Sequence, residues 1–120
     1  MNVLTDNLEQ LTQELEPHFR PGFLQQTNVI FQFHFEVGAA FYLLVSDGKF
    51  RFTAGEHEQP TITILLDCHD TAEQLLKGSL DGMKAFMEGK YRADGNIVLS
   101  QLLLYLFKPD DPISIYQVRD

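Results

Sequence analysis

The stretch Asn28–Thr53, NVIFQFHFEVGAAFYLLVSDGKFRFT, decides the fold. Within it Phe31, Phe33 and Phe35 alternate with Gln32, His34 and Glu36. Successive side chains of a strand point to opposite faces, so a period of two predicts a strand with one apolar and one wet face. Asp47-Gly48 is the signature of a two-residue hairpin turn. Such a loop pairs Val45 with Phe50 and Leu43 with Phe52, all sharing a face with Phe41, while Lys49 and Arg51 point the other way. The earlier turn must respect that face. A two-residue Val37-Gly38 loop would pair Phe33 with Tyr42 and turn one stripe into water. A three-residue loop, Val37-Gly38-Ala39, pairs Phe33 with Leu43 and Phe35 with Phe41, with Gly38 supplying a positive φ. This longer turn is the predicted register.

Outward from this hairpin, Leu4, Leu8, Leu11 and Leu15 recur at helical spacing, with Asp6 and Glu9 placed as a capping box and Pro17 as a stop. TITILLD supplies a fourth strand with Ile62, Ile64 and Leu66 inward. Asp70 is the expected cap of a short helix ended by Gly78. A second short helix, about Leu80 to Glu88, presents Met83, Phe86 and Met87, with Gly89 just past its end. KYRAD is a brief strand. Asn96 caps a last helix whose apolar side holds Leu99, Leu102, Leu103, Leu106 and Phe107, stopped by Pro109. The order predicts an α+β fold over residues 1–120 as one domain: a mainly antiparallel five-stranded sheet with helices on one face.

The glycines between residues 78 and 95 read as punctuation rather than a phosphate cradle. Gly89-Lys90 follows a helix and lacks the Ser or Thr of a P-loop. Gly82 falls inside a short helix, where it costs about 1 kcal/mol relative to Ala. Either something packs closely against it or that helix is loosely held.

Composition bounds the function. The formal net charge is −8, which repels nucleic acid. Hydrophobic residues make up 44%, with ten Phe and no Trp. A single cysteine, Cys68, forms no internal disulfide and fits a reducing compartment. The N-terminus has no signal-peptide pattern, and no apolar run reaches the roughly 20 residues that span a bilayer. These features predict a soluble, cytoplasmic protein.

No reactive constellation assembles. His18, His34, His57 and His69 are scattered without metal-ligand spacing, so no metal or cofactor is expected. Adjacent Cys68 and His69 would point to opposite sides of a strand. No GxSxG elbow surrounds Ser46, Ser79, Ser100 or Ser114.

The segment LLKGSLDGMKAFMEGKYRADGNIVLSQLLLYLF, residues 75–107, is similar to the C-terminal half of the sterol carrier protein type two family. The matching features are Gly78, Ala85-Phe86-Met87, Gly89-Lys90, Gly95-Asn96 and the Leu series; the upstream strand order and Asp-Gly hairpin match more loosely. The resemblance implies a noncatalytic bacterial member that holds a fatty acyl, sterol-like, phospholipid or isoprenoid ligand in an apolar tunnel between sheet and helices. The implied wall is Phe33, Phe41, Leu43 and Phe52 from the sheet, Met83, Phe86 and Met87 from the short helix, and Leu99, Leu103, Leu106 and Phe107 from the last. The same stripes are what an ordinary core requires, and that reading stands beside this one. The tail 108–120, with its apolar PISIYQV, is placed to cover the pocket. Lys77, Lys84, Lys90 and Arg92, against Asp81 and Glu88, form a local basic stretch for transient membrane contact, with a solvated face as the plain alternative. Departures from the family are the acidic charge and the missing peroxisomal tripeptide. Alternative functions are an adaptor, for example in isoprenoid quinone synthesis, and a small pocket isomerase. Tyr42, Leu44 and Leu65 on the outer sheet face suggest a homodimer.

Overall fold

Three strands grow from the Phe stripes: β1 (Asn28–Phe35), β2 (Phe41–Ser46) and β3 (Lys49–Ala54). The turn between β2 and β3 has positive φ at both central residues, 55° at Asp47 and 74° at Gly48, which is the backbone that matches strand twist in a two-residue hairpin. Val45 pairs with Phe50 and Leu43 with Phe52, as predicted. The structure, a computed structural model, describes residues 3–20, 28–78, 80–95 and 97–107, leaving aside the side chains of residues 3–5, 83 and 97. The expected cap Asn96, the side chain of Met83, the stop Pro109 and the tail 108–120 therefore lie outside the described residues.

The β1–β2 register corrects the expectation. Phe33 pairs with Phe41 and Phe31 with Leu43, a shift of two residues from the predicted pairing. The shift keeps every Phe on its expected face, because the side-chain period is two. Its cause is His69. The imidazole fills the space where a Cβ on Gly38 would lie, 2.9 Å away, and its Nε2 lies 2.8 Å from the Ala39 carbonyl. The loop wraps this ring instead of closing tightly. Beyond β1 the chain also follows β4 (Ile62–Leu66): Glu36 N–H donates to the Leu66 carbonyl and Val37 N–H to that of Asp67, both at 3.0 Å.

β4 runs parallel to β1, and β5 (Tyr91–Gly95) completes an otherwise antiparallel sheet of order β3-β2-β1-β4-β5. The β3–β4 connection must therefore cross two strands, and it does so over the face predicted to be wet. Gln32, expected in water, is buried beneath it. Its amide donates to the carbonyls of Phe41 and Gly55, each at 3.1 Å, and its Oε1 accepts the His57 N–H at 2.7 Å. The His57 ring in turn stands edge-on to Tyr42, with centroids 5.2 Å apart. Tyr42 is thus partly covered from within the chain, beside Leu44 and Leu65 on the same outer face.

The helices all meet the opposite face. Helix α1 (Val3–Leu15) runs into a 3-10 turn at Glu16–His18. Asp6 sits in its first turn rather than at its cap. Helix α2 (His69–Lys77) has Cys68, not Asp70, at its N-cap position, and Gly78 follows its end in the left-handed conformation, φ 77°. Helix α3 (Gly82–Met87) is capped by Asp81, whose Oδ1 accepts the Lys84 N–H at 3.1 Å. Helix α4 (Ile97–Leu106) is apolar on nearly every side. Of the two readings left open for Gly82, close packing holds: a Cβ there would lie 2.5 Å from a Leu104 methyl. α3 therefore packs backbone-close on α4.

Candidate functional site

Sheet and helices enclose a layer made almost wholly of hydrocarbon. From the sheet it receives the buried Val29, Phe31, Phe33, Phe41, Leu43, Val45 and Phe52, together with Ile62, Ile64 and Leu66. The aromatic rings touch in a chain. Phe33 lies 5.1 Å from Phe41, Phe41 lies 5.9 Å from Phe52, and Phe52 lies 6.5 Å from Phe107 of the segment after α4. Phe50 and Phe19 extend it, at 4.9 Å and 5.4 Å from Phe107. Tilted and edge-on contacts at these separations favour one arrangement over loose stacking.

The structure brings most of the sequence-predicted wall into this layer. Phe33, Phe41, Leu43 and Phe52 point in from the sheet, and Leu99, Leu103, Leu106 and Phe107 from the α4 side. Phe86 is half-buried at the rim, its ring 5.4 Å from Tyr91. Met87 does not join them: it is 81% exposed at the end of α3. A six-residue helix places only one side against the sheet, and Ala85 and Phe86 occupy it. Among the described residues, four clefts open at the edges of this layer.

Two clefts lie between α1 and α2. One, about 250 Å³, is lined by Asn7, Leu8, Leu11, Phe41, His69, Asp70 and Glu73. The other, about 240 Å³, is lined by Glu14, Leu15, His18, Lys77 and Phe107. A third, about 320 Å³, separates the α2–α3 connection from Leu104 and Tyr105. A fourth, about 530 Å³, lies at the end of the sheet among His34, Phe35, Glu36, Leu65, Leu66, Asp67, Gly89, Lys90 and Arg92. Leu8, Leu11, Leu15 and His69 were not foreseen as site residues. The helical Leu spacing marked an apolar face, but nothing local says that this face borders an opening.

The cations expected to act together are divided. Lys77 is bound to Glu14 of α1 at 2.7 Å. Each partner shifts the other: the hydrogen bond from Lys77 holds the Glu14 carboxyl below its ordinary range, and Glu14 holds the Lys77 ammonium above its own. Lys90 and Arg92 face the cleft at the sheet's end instead. Asp67 is turned to the start of α2: a hydrogen bond with Thr71 lowers its pKa, assisted by the Cys68 N–H at 2.8 Å. His34 lies 3.4 Å from Glu56. Burial raises the Tyr91 phenol. Among the described residues no group of His, Cys, Asp and Glu is arranged to hold a metal, and no helix is long and apolar enough to cross a membrane.

A family model covers residues 8–108, from α1 through α4, and it is that of the SCP-2 sterol transfer family. The chain belongs to this family. Solved structures repeat the SCP-2 fold at low identity. The stereoselective inverting sec-alkylsulfatase Pisa1 from Pseudomonas sp. matches 82% of this chain with a TM-score of 0.65 and 18% identity, but the match spans only 16% of the sulfatase. The UbiJ-SCP2 ubiquinone synthesis protein matches at 0.62 and 11% identity over 85% of each chain. The solution structure of palmitated SCP2L2 from Aedes aegypti matches at 0.57 and 19% identity, over 87% of this chain and 92% of that one. These likenesses establish the mixed α+β architecture and the mostly antiparallel five-stranded sheet as the SCP-2 arrangement.

Proposed function

We propose that this chain binds a lipid in the layer between sheet and helices and carries it without catalysing a reaction. The observation that carries this is the layer itself: a continuous run of rings and aliphatic side chains inside an SCP-2 fold. Each methylene taken from water into such a layer gains about 0.8 kcal/mol, and close to nothing when taken from a membrane. The layer therefore suits shielding a lipid in transit rather than extracting it forcefully. The proposed wall is Phe33, Phe41, Leu43, Phe52, Leu99, Leu103, Leu106 and Phe107, with Phe86 at the rim. The palmitated state of the SCP2L2 relative supports an acyl ligand.

We further read Lys84, Lys90 and Arg92, neighbours in sequence around the exposed Met87, as a point of transient membrane contact. Lys77 drops out of this set because Glu14 engages it at 2.7 Å, whereas the looser pair of Lys90 with Glu88, at 3.5 Å, leaves the Lys90 side chain 53% exposed. A cytoplasmic location is supported by the unpaired Cys68. The test is native mass spectrometry of the purified protein followed by lipid extraction. A stoichiometric copurified lipid is expected. Lipid-free protein that also fails to bind dansylundecanoic acid would remove the proposal. A second reading, an accessory protein in isoprenoid quinone synthesis, is supported by the likeness to the ubiquinone synthesis protein over most of both chains. It predicts copurification with quinone-pathway enzymes by a lipid-free chain.

A further inference from the structure

We propose that the ligand is a single unbranched hydrocarbon chain lying along the seam between α1 and α2, and that α1 lifts to admit it; this rests on the lipid-holding reading above. The two helices run side by side in the same direction. Asn7, Leu8 and Leu11 meet His69, Asp70 and Glu73 at one end, and Glu14 and Leu15 meet Lys77 at the other. Each end opens into a cleft, one floored by Phe41 and the other by Phe107. Both floors belong to one ring cluster, joined through Phe52 at 5.9 Å and 6.5 Å. Leu8, Leu11 and Leu15, all buried, form the edge of α1 above it. Helical rise puts Asn7 and Leu15 about 12 Å apart, the length of about ten methylenes. Two clefts in line, of about 250 Å³ and 240 Å³, suit an extended chain better than a rigid fused-ring sterol, which needs one wider space.

The seam carries its own closure. Glu14 Oε2 and Lys77 Nζ meet across it at 2.7 Å, with both side chains partly exposed. An ion pair in this setting changes an equilibrium by only roughly two- to fivefold, which suits a contact that must break and reform with each exchange of ligand.

Dansylundecanoic acid serves as the fluorescent probe, with dodecanoate and cholesterol as competitors. Dodecanoate is expected to displace it and cholesterol to leave it in place. Leu11→Trp, which fills the seam, is expected to weaken probe binding about tenfold or more by overpacking. Lys77→Gln is expected to speed both association and dissociation roughly two- to fivefold with Kd unchanged. Should Leu11→Trp fail to fold, the Lys77→Gln kinetics decide alone. Displacement by cholesterol as readily as by dodecanoate overturns the seam, as do wild-type rates in Lys77→Gln; in either case the lipid-holding reading survives. If the wild-type protein does not bind the probe, that reading falls and the seam falls with it.

Discussion

Gln32 spends its amide on the backbone around it: both donors reach carbonyls at 3.1 Å and its oxygen takes the His57 N–H at 2.7 Å. Gln32→Leu keeps the volume and orphans these partners. An unsatisfied buried donor or acceptor costs about 1–3 kcal/mol, so a loss of about 2 kcal/mol is expected, read as a lower denaturant midpoint with an unchanged slope. A wild-type midpoint would mean that water replaces the amide at no cost. The pair Glu14–Lys77 makes a different prediction. The folded Glu14 carboxyl titrates below its ordinary range, so its stabilisation is complete above that range and is lost as pH falls through the folded value. Lys77 is raised, so its share is present below the ordinary lysine range and fades as pH climbs through the folded value. Stability measured by thermal melts should lose this contribution only at the two extremes, and Lys77→Gln should flatten both limbs. Period-two alternation located Phe31, Phe33 and Phe35 correctly but placed Gln32 in water. Alternation reports which way a side chain points, whereas the cover over Gln32 comes from residues more than twenty positions away.

Between elements, the contact of α3 with α4 is set by the absence of a side chain at Gly82. Alanine inside a helix ordinarily stabilises by about 1 kcal/mol over glycine. Here a Cβ meets both Leu104 methyls, at 2.5 Å and 2.7 Å, so Gly82→Ala is expected to forfeit that gain and destabilise by about 1 kcal/mol. Pairing it with Leu104→Ala should recover part of the loss; equal stability of Gly82→Ala and wild type would show that Leu104 swings aside freely. The hairpin turn at Asp47-Gly48 was legible because two residues settle its geometry. The turn before it was not, because its length depends on His69 standing beside Gly38. The helix end marked by Gly78 was legible for the same reason as the hairpin, since one glycine writes it, whereas the cap at Asp81 went unread because the helix was expected to start at Leu80.

For the molecule as a whole, the net charge of −8 opposes any anionic surface, yet Lys84, Lys90 and Arg92 fall within nine positions of one another in the sequence, around the exposed Met87. Screening confines each charge to about 8–10 Å at physiological salt, so a local basic spot acts on its own. Vesicles of phosphatidylcholine with a fifth phosphatidylglycerol should pellet the wild-type protein at low salt and release it at high salt. Lys90→Glu combined with Met87→Asp should abolish pelleting without moving the melting temperature; retained pelleting would place the contact elsewhere. The candidate wall was legible as a set because inward stripes converge wherever a sheet meets helices. Met87 departed from it because Ala85 and Phe86 take the one inward side of a six-residue helix. The parallel pairing of β1 with β4 has a kinetic consequence. The three-strand meander needs only near neighbours, whereas seating Ile62 beside Phe31 closes a loop of about thirty residues, and such long-range closure is slow. Assembly should thus proceed in two movements, with the Gly55–Thr61 strap fastening last. In pulse-labelled refolding, amides of the meander should become protected before those of the fourth and fifth strands.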